Sequence, residues 1–76
     1  MADYYTRKNA AYEALKSRLN SLEKDDFLEL ADLMLDLSDR YMIGELTIRK
    51  RLELLQQAGK IDIKEGIVTL KKRKLK

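Results

Sequence analysis

Arg49, Lys50, Glu53, Gln56 and Gln57 recur at spacings that gather them on one side of a helix. Their planar and charged ends can bridge two base-edge atoms or grip a phosphate. The same residue types also make up any solvated helix face, so both uses stay open at this point. Lys64 and the run Lys71, Lys72, Arg73, Lys74 and Lys76 add cations farther along. Such a run can track a phosphate backbone or serve as a solubilising, disordered end. The acids Asp25, Asp26, Glu29, Asp32, Asp36 and Asp39 also recur a few residues apart. A row along a helix does not wrap oxygen ligands around a hard cation as a loop does, so a solvated acidic face is expected. Histidine and cysteine are both absent, which removes the usual general base, the most reactive nucleophile and any thiolate metal site. There is no glycine-rich phosphate loop either. The expectation is a non-enzyme with no cofactor, no metal and no small-molecule ligand.

The outward side chains need a helix to hold them. With Ile48 at the centre of a helical wheel, Leu52 and Leu55 fall within about 40° and Ala58 about 80° away, the spacing of a buried stripe. Gly59 suits the left-handed residue that closes such a helix. Next, Ile61-Asp62-Ile63-Lys64 and Ile67-Val68-Thr69-Leu70 flank Glu65-Gly66, a two-residue turn. In that register Ile61, Ile63, Val68 and Leu70 share one face, Asp62, Lys64 and Thr69 share the other, and only Ile67 is out of place. A one-residue slip scatters the apolar set. Two strands alone are marginal in water, so the hairpin must lie on helices.

Two helices are expected upstream. In the first, Tyr5, Tyr12 and Leu19 repeat every seven residues with Leu15 and Leu22 between them. The repeat lasts for fewer than three heptads, which favours packing on the same domain over a zipper. Tyr4 and Tyr5 suit core or dimer packing, with base stacking as the other use. The second helix has Asp26 and Glu29 spaced as a capping box. Phe27, Leu30, Leu33, Met34, Leu37 and Tyr41 form its core face, while Leu28 and Leu35 widen the stripe toward a second contact surface. Met42-Ile43-Gly44 makes the turn into the third helix, Ser38 lets the two helices approach, and Leu37, Tyr41 and Ile43 supply the contacts between them.

Over about 30 residues this segment resembles the winged-helix transcription regulators of the DeoR type. Their recognition segment reads roughly V-S-x-x-T-I-R-R-D-L, then L-x-x-x-G. Here the chain has Ile43-Gly44-Glu45-Leu46-Thr47-Ile48-Arg49-Lys50-Arg51-Leu52, with Leu55 and Gly59 following. Met42 stands where a glycine is common, and Gly44 replaces the usual serine cap. The resemblance implies that Thr47, Arg49 and Lys50 contact DNA and that Ile48 and Leu52 lie in the core. It includes no effector or sugar-binding domain.

Charge is partitioned along the 76 residues. Residues 1–22 hold four cations against two acids, residues 23–41 two against seven, and residues 42–76 ten against four. The segregation points to nucleic acid more strongly than the net charge of +3 does. The expected fold is mainly α with a small β-hairpin, a three-helix winged helix-turn-helix. Its helices lie at about 4–21, 26–41 and 45–58 and its strands at about 61–64 and 67–70. Residues 1–70 form one domain and 71–76 a basic tail. The expected function is sequence-specific binding of double-stranded DNA, by a small transcriptional regulator or a DNA-handling protein of a phage, plasmid or other mobile element. Thr47, Arg49, Lys50, Glu53, Gln57, Lys64, Lys71, Lys72, Arg73 and Lys74 are the candidate contacts. A homodimer is the candidate assembly. The alternative is a protein-interaction module using the acidic helix with Leu28 and Leu35. No apolar run approaches the roughly 18 residues of a membrane span, so an intracellular protein is expected.

Overall fold

Asp3 starts the first helix by accepting a 2.8 Å hydrogen bond from the Thr6 amide, satisfying one of the donors that a helix start leaves open. The computed structural model describes residues 3–71. Helix α1 spans Tyr4–Asn20 and turns Ala11, Leu15 and Leu19 inward at four-residue intervals. The seven-residue row is therefore broken at its start. Tyr5 is exposed, and Ala11 provides the first buried contact.

The second helix begins later than the expected residue 26. Asp26 does not cap it, because its carboxylate accepts from the Glu23 amide and its own amide donates to the Glu23 carbonyl, both at 3.0 Å. With Asp25 at φ 72°, residues 23–26 form a closed local turn. Leu28–Glu29 then form a short strand, β1, and helix α2 spans Leu30–Tyr41. Glu29 occupies the cap position without a side-chain hydrogen bond, so the capping box is not made. The Leu30 amide donates instead to the Gly66 carbonyl at 2.8 Å, across the domain. Phe27 is consequently exposed rather than in the core, and Leu28 packs partly buried against the core.

Helix α3 spans Glu45–Gln57, and strands β2 (Ile61–Lys64) and β3 (Ile67–Leu70) follow. The hairpin register is the expected one, from Ile61 opposite Leu70 to Lys64 opposite Ile67. Glu65 and Gly66 both have positive φ, as a tight two-residue hairpin turn of type I′ requires. The sheet has three strands, in the order β1-β3-β2 and all antiparallel, with Leu28 opposite Val68 and Glu29 opposite Ile67. Ile67, anomalous in a two-stranded hairpin, thus sits on the central strand between Lys64 and Glu29.

One apolar cluster unites these elements. Leu15 and Leu19 from α1, Leu33 and Leu37 from α2, Ile48 and Leu52 from α3, and Ile61 and Val68 from the sheet are all closed to solvent. Among the described residues no polar or charged side chain is buried. The fold class is as expected, mainly α with a small antiparallel sheet.

Helices α2 and α3 leave by the same backbone route. At the end of α2 the Ile43 amide reaches the Ser38 carbonyl with Met42 at φ 55°. At the end of α3 the Lys60 amide reaches the Leu55 carbonyl, and the Gly59 amide the Gln56 carbonyl, with Gly59 at φ 74°. The Ile43 and Lys60 bonds are the 6→1 bonds of a left-handed helix cap, and the Gly59 bond is the accompanying 5→2 bond.

Candidate nucleic-acid interface

Helix α3 is fixed from behind. Ile48 and Leu52 have no solvent exposure, and Leu55 is half-buried beside them. The rest of the wheel faces outward, with Leu46, Arg49, Lys50, Glu53, Leu54, Gln56 and Gln57 exposed. Ala58, expected at the edge of the buried stripe, is also exposed, because the helix has already ended at Gln57.

The candidate contacts do not all share one setting. Arg49, Lys50, Glu53 and Gln57 do lie together on the outward face. Arg49 Nε and Glu53 Oε1 pair at 3.3 Å, one turn apart. An exposed pair of this kind is worth only about 0.2–1 kcal/mol, so Arg49 can exchange it for a stronger acceptor at little cost. Thr47 is half-buried on the flank, its hydroxyl 3.5 Å from the Tyr4 hydroxyl of α1. Lys64 is exposed at the end of β2, next to the turn. Lys71 is exposed too, and its amide donates to the Lys60 carbonyl at 3.0 Å, extending the ladder past β3. Lys72, Arg73 and Lys74 lie outside the described residues.

The turn that presents α3 is built from side chains as well as backbone. Ser38 Oγ donates to the Ile43 carbonyl, so the small residue expected at the crossing also bonds the connecting turn. Gly44 then caps α3 with extended backbone (φ −66°, ψ 145°) and no side-chain bond. A Cβ at Gly44 would meet only Thr47 Oγ1, at 3.9 Å, so a serine fits there without displacement.

The acidic helix is partly committed to structure. Asp36 pairs with Arg18 of α1, and its other oxygen is 3.3 Å from Arg40. Partial desolvation pulls the Asp36 carboxyl up. The hydrogen bond from Arg40 and the charges of Arg18 and Arg40 outweigh it, leaving the carboxyl below its ordinary value of 3.8. The Thr6 amide likewise holds the Asp3 carboxyl low. Among the described residues no three acids converge as a metal site requires. No helix among them is long and apolar enough to cross a membrane.

Arg51 had no place among the candidates, yet its guanidinium lies 4.8 Å from the Tyr12 ring centroid. On the wheel it falls between the buried and outward faces, and its partner is on another helix. Sequence carries one hint, the alternation of tyrosine and lysine along α1. No family model, curated protein or solved structure matches this chain.

Proposed function

We propose that the protein binds duplex DNA, with α3 in the major groove and the β2–β3 hairpin beside it on the backbone. The observation that carries this reading is the division of α3. Two fully buried residues anchor it, and Arg49, Lys50, Glu53 and Gln57 stand together on the opposite, exposed face. A helix so held can enter a groove without rearranging the core, and its donors and acceptors are those that read base edges. Lys64 and Lys71, at the two ends of the hairpin, suit phosphate contacts, which set position rather than sequence.

The element order, with a short strand before α2 and a hairpin after α3, supports the winged-helix reading and with it the likeness to DeoR-type recognition segments. A small regulator, or a DNA-handling protein of a mobile element, is the corresponding role. Symmetric pairing of two copies on adjacent half-sites is the natural route to specificity for a domain this small. The interaction-module alternative loses one of its two leucines, since Leu28 is taken into the sheet while Leu35 stays exposed.

The test is binding of the full chain to a selected duplex at two salt concentrations. Arg49→Ala should cost about 1–3 kcal/mol at a specific site, and adding Lys50→Ala should flatten the salt slope by about 0.9 if that lysine meets a phosphate. A folded double variant that binds like the parent would remove α3 from the interface.

A further inference from the structure

We propose that the flank of α1 beside α3, exposed at Tyr4 and Tyr5 and half-buried at Lys8, Tyr12 and Lys16, is a second nucleic-acid surface, separate from the outward face of α3, and that it takes a short unpaired strand. The proposal does not depend on duplex recognition by α3.

Along α1 aromatic and cationic side chains alternate: Tyr4 and Tyr5, then Lys8, Tyr12 and Lys16, each step three or four residues. Steps of this size keep the side chains on one side of the helix, a row about 18 Å long. Tyr5 is 69% exposed and meets Tyr4 edge to face, with ring centroids 5.8 Å apart and planes at 73°. The Lys8 ammonium stands 5.3 Å from the Tyr5 centroid, 5.6 Å from Tyr4 and 6.0 Å from Tyr12. One cation is thus held among three rings.

The row runs beside α3. Tyr4 meets Thr47, Tyr12 meets Arg51, and farther on a groove of about 350 Å³ opens between the two helices. Leu15 and Leu55 line it together with Lys16, Arg51 and Lys60. The acid in its lining, Glu13, is paired with Lys16 at 3.4 Å.

This combination matches the chemistry of an unpaired strand. Ring faces stack on bases, cations follow the phosphates, and the planar guanidinium of Arg51 can do either. Two other surfaces use aromatic and basic residues, and both fit less well. A helix-packing face would bury Tyr5 and exclude the lysines. A membrane-inserting face needs an apolar stripe, whereas the buried Ala11, Leu15 and Leu19 all turn to the core.

The experiment measures anisotropy of an end-labelled oligothymidylate with the full chain. Quenching of the intrinsic emission gives a second readout, since the four tyrosines are the only strong fluorophores in a chain without tryptophan. Saturable binding is expected, weakened roughly tenfold by Tyr5→Leu, which keeps apolar bulk but loses the ring face. Tyr5→Phe should bind as the parent does, and Lys8→Gln should weaken binding and reduce its salt dependence. The double variant Arg49→Ala, Lys50→Ala should keep strand binding whatever it does to duplex. Circular dichroism checks that each variant is folded.

Any of several results would overturn the proposal. One is no binding of the oligothymidylate, or binding indifferent to Tyr5→Leu. Another is equal loss in the α3 double variant, which would mean one shared surface. Displacement by thymidine monophosphate as readily as by the strand would make the groove a small-anion site. Tighter binding to anionic phospholipid vesicles than to the strand would make α1 a membrane face.

Discussion

Helices α2 and α3 both end in a 6→1 hydrogen bond but with different residues at the critical position. After α3 the left-handed residue is Gly59, which adopts φ 74° without steric cost. After α2 it is Met42, which adopts φ 55° against the preference of any residue with a Cβ. The strained exit is the braced one. Ser38 bonds the Ile43 carbonyl, and Arg40 and Arg18 grip Asp36 within the last two turns of α2. The last turn of α3 has no basic residue. A helix end can thus be set by the conformational freedom of one residue or by side-chain bonds around a less willing one. Only the second choice leaves a large side chain on the surface there, and Met42, 71% exposed, stands just before the candidate recognition helix.

The largest break in this contrast should come from Gly59→Val. A Cβ at Gly59 would meet nothing within 4 Å, so the whole effect is backbone conformation. We expect a loss of about 2 kcal/mol in urea unfolding, at the upper end of the left-handed penalty because valine is β-branched. A negligible loss would mean that the end of α3 can relax. Ser38→Ala should cost about 1 kcal/mol by the same measurement, the value of a typical hydrogen bond, and more if the turn opens.

Met42→Gly works in the opposite direction. Relief of the positive φ should outweigh the extra freedom of glycine when unfolded, for a net gain of about 0.5 kcal/mol, visible as a higher Tm. A fall in Tm would assign the methionine side chain a packing role. The smallest effect should be that of Asp36→Asn at neutral pH. The lowered carboxyl pKa contributes stability above the ordinary value of 3.8, and that contribution is lost as pH falls through the folded value. Between about pH 5 and pH 2 the parent should therefore lose more Tm than the variant. Parallel acid limbs would show that the brace adds nothing.

The same local logic explains what could be read from the sequence. The extent of α3 and the hairpin register followed from periodicity and from Gly59 and Gly66, where one residue decides the backbone. The segment before α2 did not. Asp26 and Glu29 have the spacing of a capping box, but Asp26 is bound to Glu23, and Leu28–Glu29 pair with residues about 40 positions away. No window along the chain holds both partners of such a pair. Of the candidate contacts, Arg49, Lys50, Glu53 and Gln57 come together because one helix carries them. Thr47 is drawn toward α1 by Tyr4, and Arg51 meets Tyr12, both being contacts between helices that a single wheel does not display.

The 2.8 Å bond from the Leu30 amide to the Gly66 carbonyl has a consequence for the order of assembly. The start of α2 is completed by the hairpin turn, which emerges from the ribosome long after α2 itself. Helices α1 to α3 can begin to associate through contacts close in sequence, but β1 stays without its partner until the last strand is synthesised. Exchange of the Leu30 amide proton then reports closure of the sheet, and its protection appears last, when the hairpin turn meets the start of α2.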